Sequence, residues 1–235
     1  MSEWRDQLFH ILLTSQNEDE FTQAVAKETE RLEFEFFAYG LCVSLHVTKP
    51  YFRLCNNYPP DWKNRYQQNH YLEHDPTVQH CLHSFQPIVW EEGFNDAEYF
   101  WEDARAHGIC WGWAQSQQVG RCAKGMITLA RSAEPISNSE LAKKLPEMTA
   151  FNQTVQAGFQ RFFLPEMTHF FDVTLSLREL EVLRWCAEGK TAVEIGMILS
   201  ITERTANFHI ANAIEKLNVT NKTAAVLRAY QLGLI

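Results

Sequence analysis

The sequence predicts two folded parts of different class: an α+β N-terminal part built as an α/β/α sandwich, and an all-α C-terminal part of four helices containing a helix-turn-helix. Three observations predict this. Strand-like runs alternate with helix-period segments as far as Arg131, whereas the last sixty or so residues read as helix throughout. S/T-x-x-E capping boxes stand at Ser137, Ser176 and Thr191, each ahead of an apolar run at helical spacing. Charge divides with the fold: residues 1–172 carry 14 basic and 23 acidic side chains and residues 173–235 carry 7 and 6, so a net −9 is followed by a net +1.

With 235 residues, 46% of them apolar, the chain can fill one large or two modest cores, and two domains are expected. The expected division is a domain over 1–164, a linker over 165–174 and a second domain over 175–235. The opening residues Met1-Ser2-Glu3-Trp4-Arg5-Asp6 are charged at once, and no apolar run is long enough for a secretory core or a bilayer span. A soluble, cytoplasmic protein with no membrane partner is expected. Cys42, Cys55, Cys81, Cys110, Cys122 and Cys186 are scattered without a C-x-x-C pair, as reduced core thiols are. Neither a disulfide framework, a metal site nor a cofactor is expected.

In order, helical patterns cover 3–14 and 18–32, a strand covers Phe36–Val43, and a second covers Tyr51–Asn57. Helical patterns near 61–69, 76–84 and 97–107 precede strands at Trp113–Val119 and Gly125–Arg131. A long helix over 138–164 carries Leu141, Leu145, Met148, Phe151, Val155, Phe159 and Phe162 at helical spacing, and Pro165 stops it. With Phe163 added, its apolar positions exceed what one buried stripe requires. After the box at Ser176, Glu188-Gly189-Lys190 is a glycine stop. A short helix, Thr191–Leu199, the break Ser200-Ile201-Thr202, and a longer helix to Leu217 make the helix-turn-helix. The chain breaks again at Asn218–Asn221, and 222–232 is the fourth helix.

In the second helix of that pair, Ala206, Ile210, Ala213, Ile214 and Leu217 share an inward face. The other side presents Arg204, Asn207, Phe208, Ala211 and Asn212. A helix held by its back can put its front into the major groove of DNA, where polar side chains reach base edges. A small helical interaction domain is the plainer alternative that periodicity leaves open.

The run Leu175-Ser176-Leu177-Arg178-Glu179-Leu180-Glu181-Val182-Leu183, then Gly189-Lys190-Thr191, Glu194-Ile195, Ile198-Leu199, Thr205, Phe208-His209, Lys216-Leu217, Asn221-Lys222 and Ala224, closely resembles the LuxR-type DNA-binding domain. The resemblance implies that Glu179, Leu183 and Gly189 are structural and that Lys190, Thr191, Thr205, Lys216 and Lys222 lie near phosphates. Ala206-Asn207 departs from the Val-Lys usual in the family. Asn207 can pair with adenine and Ala211 can touch a thymine methyl, with Arg204 and Thr205 assisting.

The N-terminal part holds Asn57-Tyr58-Pro59-Pro60-Asp61-Trp62-Lys63-Asn64-Arg65-Tyr66 and then Asp75-Pro76-Thr77-Val78. Trp62 and Tyr66 share a helix face with Tyr58 just before it, an aromatic wall suited to an amphiphilic small molecule. Aromatics at helical spacing are more often core, and Asp75-Pro76 is more often a helix start. Together Trp62, Tyr66, Asp75, Pro76, Trp90 and Gly112 match the six positions that mark acyl-homoserine-lactone receptors of the LuxR type, which extends the resemblance over nearly the whole chain. It implies a quorum-sensing transcription factor that binds an N-acyl-homoserine lactone and, as a homodimer, palindromic double-stranded DNA. Trp62 would donate to the lactone carbonyl, Asp75 would accept the amide N–H, Tyr58 would bond the acyl carbonyl, Trp90 and Tyr66 would wall the ring and chain, and Thr128 would add a hydroxyl. The long helix would make the main dimer contact. Cys42, Asn56 and Ser116 depart from the family, Ser116 replacing a proline common after a turn at Gly112.

Two rivals remain. His70, His74, His80 and His83 with Cys81 suggest metal or acid–base chemistry, but no third well-spaced ligand accompanies them, and no enzyme is expected. A phospho-receiver domain would need acidic strand ends in an alternating βα pattern, which the two early helices and aromatic strands do not supply.

Overall fold

A computed structural model describes residues 6, 8, 10, 11, 14–44, 50–90, 97–166 and 173–235, with 164–166 as backbone only. Most of the helix expected over 3–14 lies outside the described residues, as does most of the linker expected over 165–174; residues 6, 8, 10, 11 and 14 are helical. The chain divides into two compact units, the second holding residues 166–235.

The first unit is built on a five-stranded antiparallel sheet in the order β2-β1-β5-β4-β3, formed by β1 (Phe36–Val43), β2 (Tyr51–Asn56), β3 (Ile88–Val89), β4 (Trp111–Val119) and β5 (Ala123–Arg131). Helices α1 (Glu18–Arg31) and α5 (Asn138–Glu166) cover one face, and α2 (Pro60–Gln68), α3 (Pro76–His83) and α4 (Glu98–Ala106) the other. The α/β/α sandwich follows from the period-two alternation of the strands. Phe37, Tyr39 and Leu41 of β1, each 0% exposed, point to the α1–α5 side. There Tyr39 stacks on Phe159 at 4.8 Å, and Phe21 of α1 meets Phe159 edge-on at 4.9 Å. Ala38, Gly40 and Cys42 point to the other side.

Two expectations about the long helix need correction. It does not stop at Leu164 but continues through Pro165 to Glu166, since proline removes a donor without forbidding helical φ. Three of its phenylalanines are also not surplus: Phe151, Phe159 and Phe163 are fully buried, while Phe162 is half-buried beside Phe21. Gly158 explains how α1 can come close enough to cover them, because a Cβ there would lie 1.9 Å from Cζ of Phe21.

Arg131, at the end of β5, is 9% exposed and forks onto Glu140 of α5, Nη1 to Oε1 at 2.8 Å and Nη2 to Oε2 at 2.7 Å. Its remaining donors meet the carbonyls of Glu134 at 2.8 Å, Pro135 at 3.1 Å and Glu33 at 3.5 Å. The guanidinium, helped by Lys144, holds the Glu140 carboxyl at about 2, against an ordinary 4.5. A depressed carboxyl stabilises the fold above its unfolded pKa and loses that contribution as pH falls through its folded one. Glu140→Gln is therefore expected to melt below the parent near neutral pH, the gap closing as pH falls from 4.5 toward 2. A gap independent of pH in melting curves would remove the pair from the acid response.

The second unit is four helices, α6 (Leu177–Ala187), α7 (Ala192–Leu199), α8 (Glu203–Lys216) and α9 (Lys222–Gln231). Ser176 with Glu179 and Thr191 with Glu194 form complete capping boxes, as their spacing predicts. Leu183, Ala213 and Ala225 make one core with Leu217, and Val182, Ile195 and Ala206 another, each residue 2% exposed or less. The turn between α7 and α8 is tight: Ser200 is left-handed (φ 56°), and the Ile201 amide returns to the Gly196 carbonyl at 2.9 Å. A Cβ on Gly196 would lie 2.8 Å from the Ile201 carbonyl oxygen, so glycine is what lets the chain fold back there.

Candidate functional site

Between the sheet and α2–α4 lies a cavity of about 760 Å³. Its floor is the period-two row of small or flexible side chains that the strands turn away from α5: Ala38, Gly40 and Cys42 of β1, and Lys124, Met126 and Thr128 of β5. Tyr58, Trp62, Tyr66, Asp75, Trp90 and Thr128 all border this one space. The sequence names them from four separate segments, and the fold brings them together. Pro76 starts α3 behind Asp75, and Gly112 lies under Trp90; both support the wall without lining it.

Trp62, 2% exposed, packs against Tyr66 at 5.7 Å, Tyr71 at 5.8 Å and Phe100 at 5.9 Å. Trp62, Tyr66 and Phe100 are packed with the core and also border the cavity. Trp90, 5% exposed, donates its amide to the Gly112 carbonyl at 2.8 Å, and its indole Nε1 is buried without a protein partner. Gly112 sits inside β4 rather than in a turn. A Cβ there would stand 2.6 Å from the Leu129 carbonyl oxygen and 2.8 Å from the Trp90 ring, so the glycine lets the indole lie flat on the sheet.

Asp75 is 8% exposed and does two things at once. Its Oδ1 caps α3, accepting from the Thr77 amide at 2.8 Å and the Thr77 hydroxyl at 2.7 Å. Its Oδ2 accepts from the Tyr66 hydroxyl at 2.9 Å on the cavity side. Burial pushes the carboxyl up, while the Thr77 and Tyr66 hydrogen bonds act in the opposite direction. The Tyr58 phenol is raised as well, by burial first and then by the Asp75 charge, so both phenols facing the carboxylate remain donors.

Sequence reasoning missed the tie that holds the wall. Asp103 of α4 accepts from Arg65 Nε at 2.6 Å and from the Tyr71 hydroxyl at 2.5 Å, linking α4 to α2 and to the 3₁₀ turn Tyr71–Glu73. Arg65 and then Tyr71 hold its carboxyl below the usual range. Among the described residues no three His, Cys, Asp or Glu side chains gather as a metal would require. His80 and His83 instead bond the carbonyls of Gln86 and Gln79 at 2.9 and 2.8 Å.

In the second unit, α8 buries Ala206, Ile210 and Ala213 and leaves Arg204, Asn207, Phe208 and Ala211 exposed along one face. Phe208 is 60% exposed, which a core residue would not be. Thr205 shares a 2.8 Å hydroxyl contact with the cap Thr202, and Thr191 caps α7. Three lysines have protein contacts of their own. Lys190 lies 3.9 Å from Glu194, Lys222 reaches the Lys190 carbonyl at 3.4 Å, and Lys216 bonds the buried Glu179 at 2.8 Å. Burial works against the Glu179 charge, but Lys216 and Ser176 outweigh it and keep its pKa below the ordinary value.

A sandwich with an aromatic cavity joined to a helix-turn-helix defines a ligand-responsive DNA-binding protein, and comparison with known proteins gives the family. Residues 17–159 match the family model described as "Autoinducer binding domain", and residues 173–229 that described as "Bacterial regulatory proteins, luxR family". The transcriptional activator protein AnoR of Acinetobacter nosocomialis is 40% identical, the match covering 100% of both chains. SolR of Ralstonia nicotianae is 38% identical over 97% of each. The structure of SdiA in complex with octanoyl-rac-glycerol superposes with a TM-score of 0.81 at 31% identity, covering 98% of this chain and 95% of that one. The chain belongs to the LuxR family. It is a quorum-sensing transcriptional regulator with an autoinducer-binding domain and a helix-turn-helix DNA-binding domain, and its family is not enzymatic. Among the described residues no helix is long and apolar enough to cross a membrane.

Proposed function

We propose that the autoinducer is an N-acyl-homoserine lactone held in the cavity, and that the chain binds a palindromic promoter site as a homodimer in the cytoplasm. Residues 1–164 form the ligand and dimerisation domain, 165–174 the linker, and 175–235 the DNA-binding domain. One observation carries the ligand reading: a buried carboxylate, Asp75, borders the same cavity as two donor side chains, the Tyr58 phenol and the Trp62 indole. A ligand with an amide donor and two carbonyl acceptors satisfies all three. Asp75 accepts the amide N–H, Tyr58 donates to the acyl carbonyl, and Trp62 donates to the lactone carbonyl. Tyr66 and Trp90 flank the ring and chain, and Thr128 adds a hydroxyl.

The SdiA complex favours a second reading, in which an acylglycerol occupies the site. Such an ester has hydroxyl donors for Asp75 but no amide. Thermal shift with homoserine lactones of several acyl lengths, beside octanoylglycerol, separates the two. At a hundred times its dissociation constant the true ligand raises stability by about 2.7 kcal/mol. No shift with any lactone would overturn the first reading.

On DNA, α8 enters the major groove, with Asn207 and Ala211 reading bases and Arg204, Thr205 and Phe208 beside them. Lys190 and the N-terminus of α7 at Thr191 anchor phosphates. Lys216 and Lys222, which also hold the fold, lie at the edge of that contact. Asn207→Ala is expected to relax preference at one base pair per half-site, costing about 1–3 kcal/mol there. Lys190→Ala is expected to weaken all sequences alike and to flatten the salt dependence. Binding titrations against single-base operator variants at two salt concentrations check both, and an exchange of the two phenotypes would reverse the assignments.

A further inference from the structure

The layer between the sheet and α5 carries a polar patch in apolar surroundings. Along α5, Met148, Phe151, Val155, Phe159 and Phe163 are buried, and among them stand two amides, Asn152 at 1% and Gln156 at 3% exposure. Four residues apart, the two share the face turned to the sheet. Asn152 meets β4, where its Nδ2 reaches Gln115 Oε1 at 3.5 Å and its own carbonyl accepts from Gln117 Nε2 at 3.4 Å. Gln156 meets β5 at Gly125. A Cβ on that glycine would stand 2.4 Å from Gln156 Oε1 and 2.8 Å from the hydroxyl of Tyr39, which reaches across from β1. Gly125 has no positive φ, so its backbone does not demand glycine; the place of its side chain is taken by these two polar groups.

Among the described residues, three atoms of this patch are buried with no hydrogen-bond partner in the protein: the Tyr39 hydroxyl, Asn152 Oδ1 and Gln156 Oε1. Tyr39 is 0% exposed, and burial raises its phenol, so the hydroxyl stays protonated and remains a donor. Its ring is held in place by the stack on Phe159 at 4.8 Å. Buried polar groups left unpaired are costly, and folded interiors pair nearly all of them. The Tyr39 hydroxyl and Gln156 Oε1 both lie within 2.8 Å of one point, so they are no farther apart than a single bridging molecule spans. The set presents one O–H that needs an acceptor and two carbonyl oxygens that need donors. Water supplies one acceptor and two donors, the three bonds that a buried water usually makes. A cation fits less well, since it would find three neutral oxygens and no carboxylate.

We propose that this patch is a binding site for one ordered water, which accepts from the Tyr39 hydroxyl and donates to Gln156 Oε1 and Asn152 Oδ1, joining α5 to β1 across β5. The site lies on the opposite face of β5 from Lys124 and Met126. It is therefore occupied whether or not a ligand fills the cavity, and it does not rest on the lactone reading.

A crystal structure of the full-length chain is the direct test. A density peak about 2.7–3.2 Å from all three atoms is expected. A direct Tyr39–Gln156 hydrogen bond with no density between them overturns the proposal. So does a peak about 2.3–2.6 Å from six or more oxygens, which is a cation. Melting curves give a second readout. Tyr39→Phe and Gln156→Met each leave the water short of a partner, and each is expected to lower the midpoint by about 2–4 °C. Together they release the water, so the double variant is expected to lose less than the sum of the two single shifts. Strictly additive shifts would mean that the two side chains share nothing, and would overturn the proposal. Should either variant fail to fold, the density in the parent decides alone.

Discussion

Asp75→Asn is expected to fold, to keep α3 capped, and to lose ligand response by tenfold to a hundredfold. The substitution retains an acceptor for the Thr77 amide, which Oδ1 now serves at 2.8 Å. On the cavity side it replaces Oδ2 with an amide NH₂, so a donor faces the ligand's donor, and the lost charge-assisted bond is worth roughly 1.5–3 kcal/mol. Asp75→Ala is expected to lose the helix cap as well, about 1 kcal/mol of stability in the unliganded protein. Tyr66→Phe removes one donor to the carboxylate but preserves the aromatic wall, so its effect on binding is smaller. Melting curves without ligand separate capping from anchoring, and ligand titrations read the anchor. Equal losses in Asp75→Asn and Tyr66→Phe would refute Asp75 as the amide acceptor.

Gly112→Ala is expected to damage both stability and binding. Its methyl would meet a backbone carbonyl at 2.6 Å, which cannot swing away, and the Trp90 ring at 2.8 Å, which can move only into the cavity. Overpacking of this kind costs about 1–3 kcal/mol. The displaced indole also carries Nε1 away from its place in the wall. Adding Trp90→Leu makes room for the methyl, so the double variant is expected to recover part of the melting temperature and none of the ligand response. A Gly112→Ala protein that melts and binds like the parent would show that the indole is not pinned by the strand.

Features whose physics is local were legible in the sequence. The capping boxes at Ser176 and Thr191 involve side chains three residues from their partners, and both form as their spacing implies. The inward face of α8 is likewise a matter of helical period. The two-residue β3 could not be read, because so short a strand has no period. On α5 the spacing identified the apolar residues correctly, but it carries no measure of the surface facing them. That surface is the sheet together with α1, whose approach depends on Gly158 opposite Phe21.

The cavity shows the same division. Asp75-Pro76 read either as a helix start or as a ligand anchor, and the carboxylate has one oxygen for the cap and the other turned to Tyr66. Asp103 and Lys124 gave no signal. The first meets Arg65 across 38 residues of sequence, and a lysine in a strand ordinarily reads as solvent-facing.

Because α5 turns Phe151, Phe159 and Phe163 inward, the side it leaves exposed is carried by Ala142, Lys143, Pro146, Gln153 and Ala157. Two copies meeting along that side would exclude little water per residue, and their association would be weak and readily reversed. In the proposed homodimer, a regulator joined in this way would answer to its own abundance as well as to the signal, because at low copy number a liganded receptor would remain a single chain.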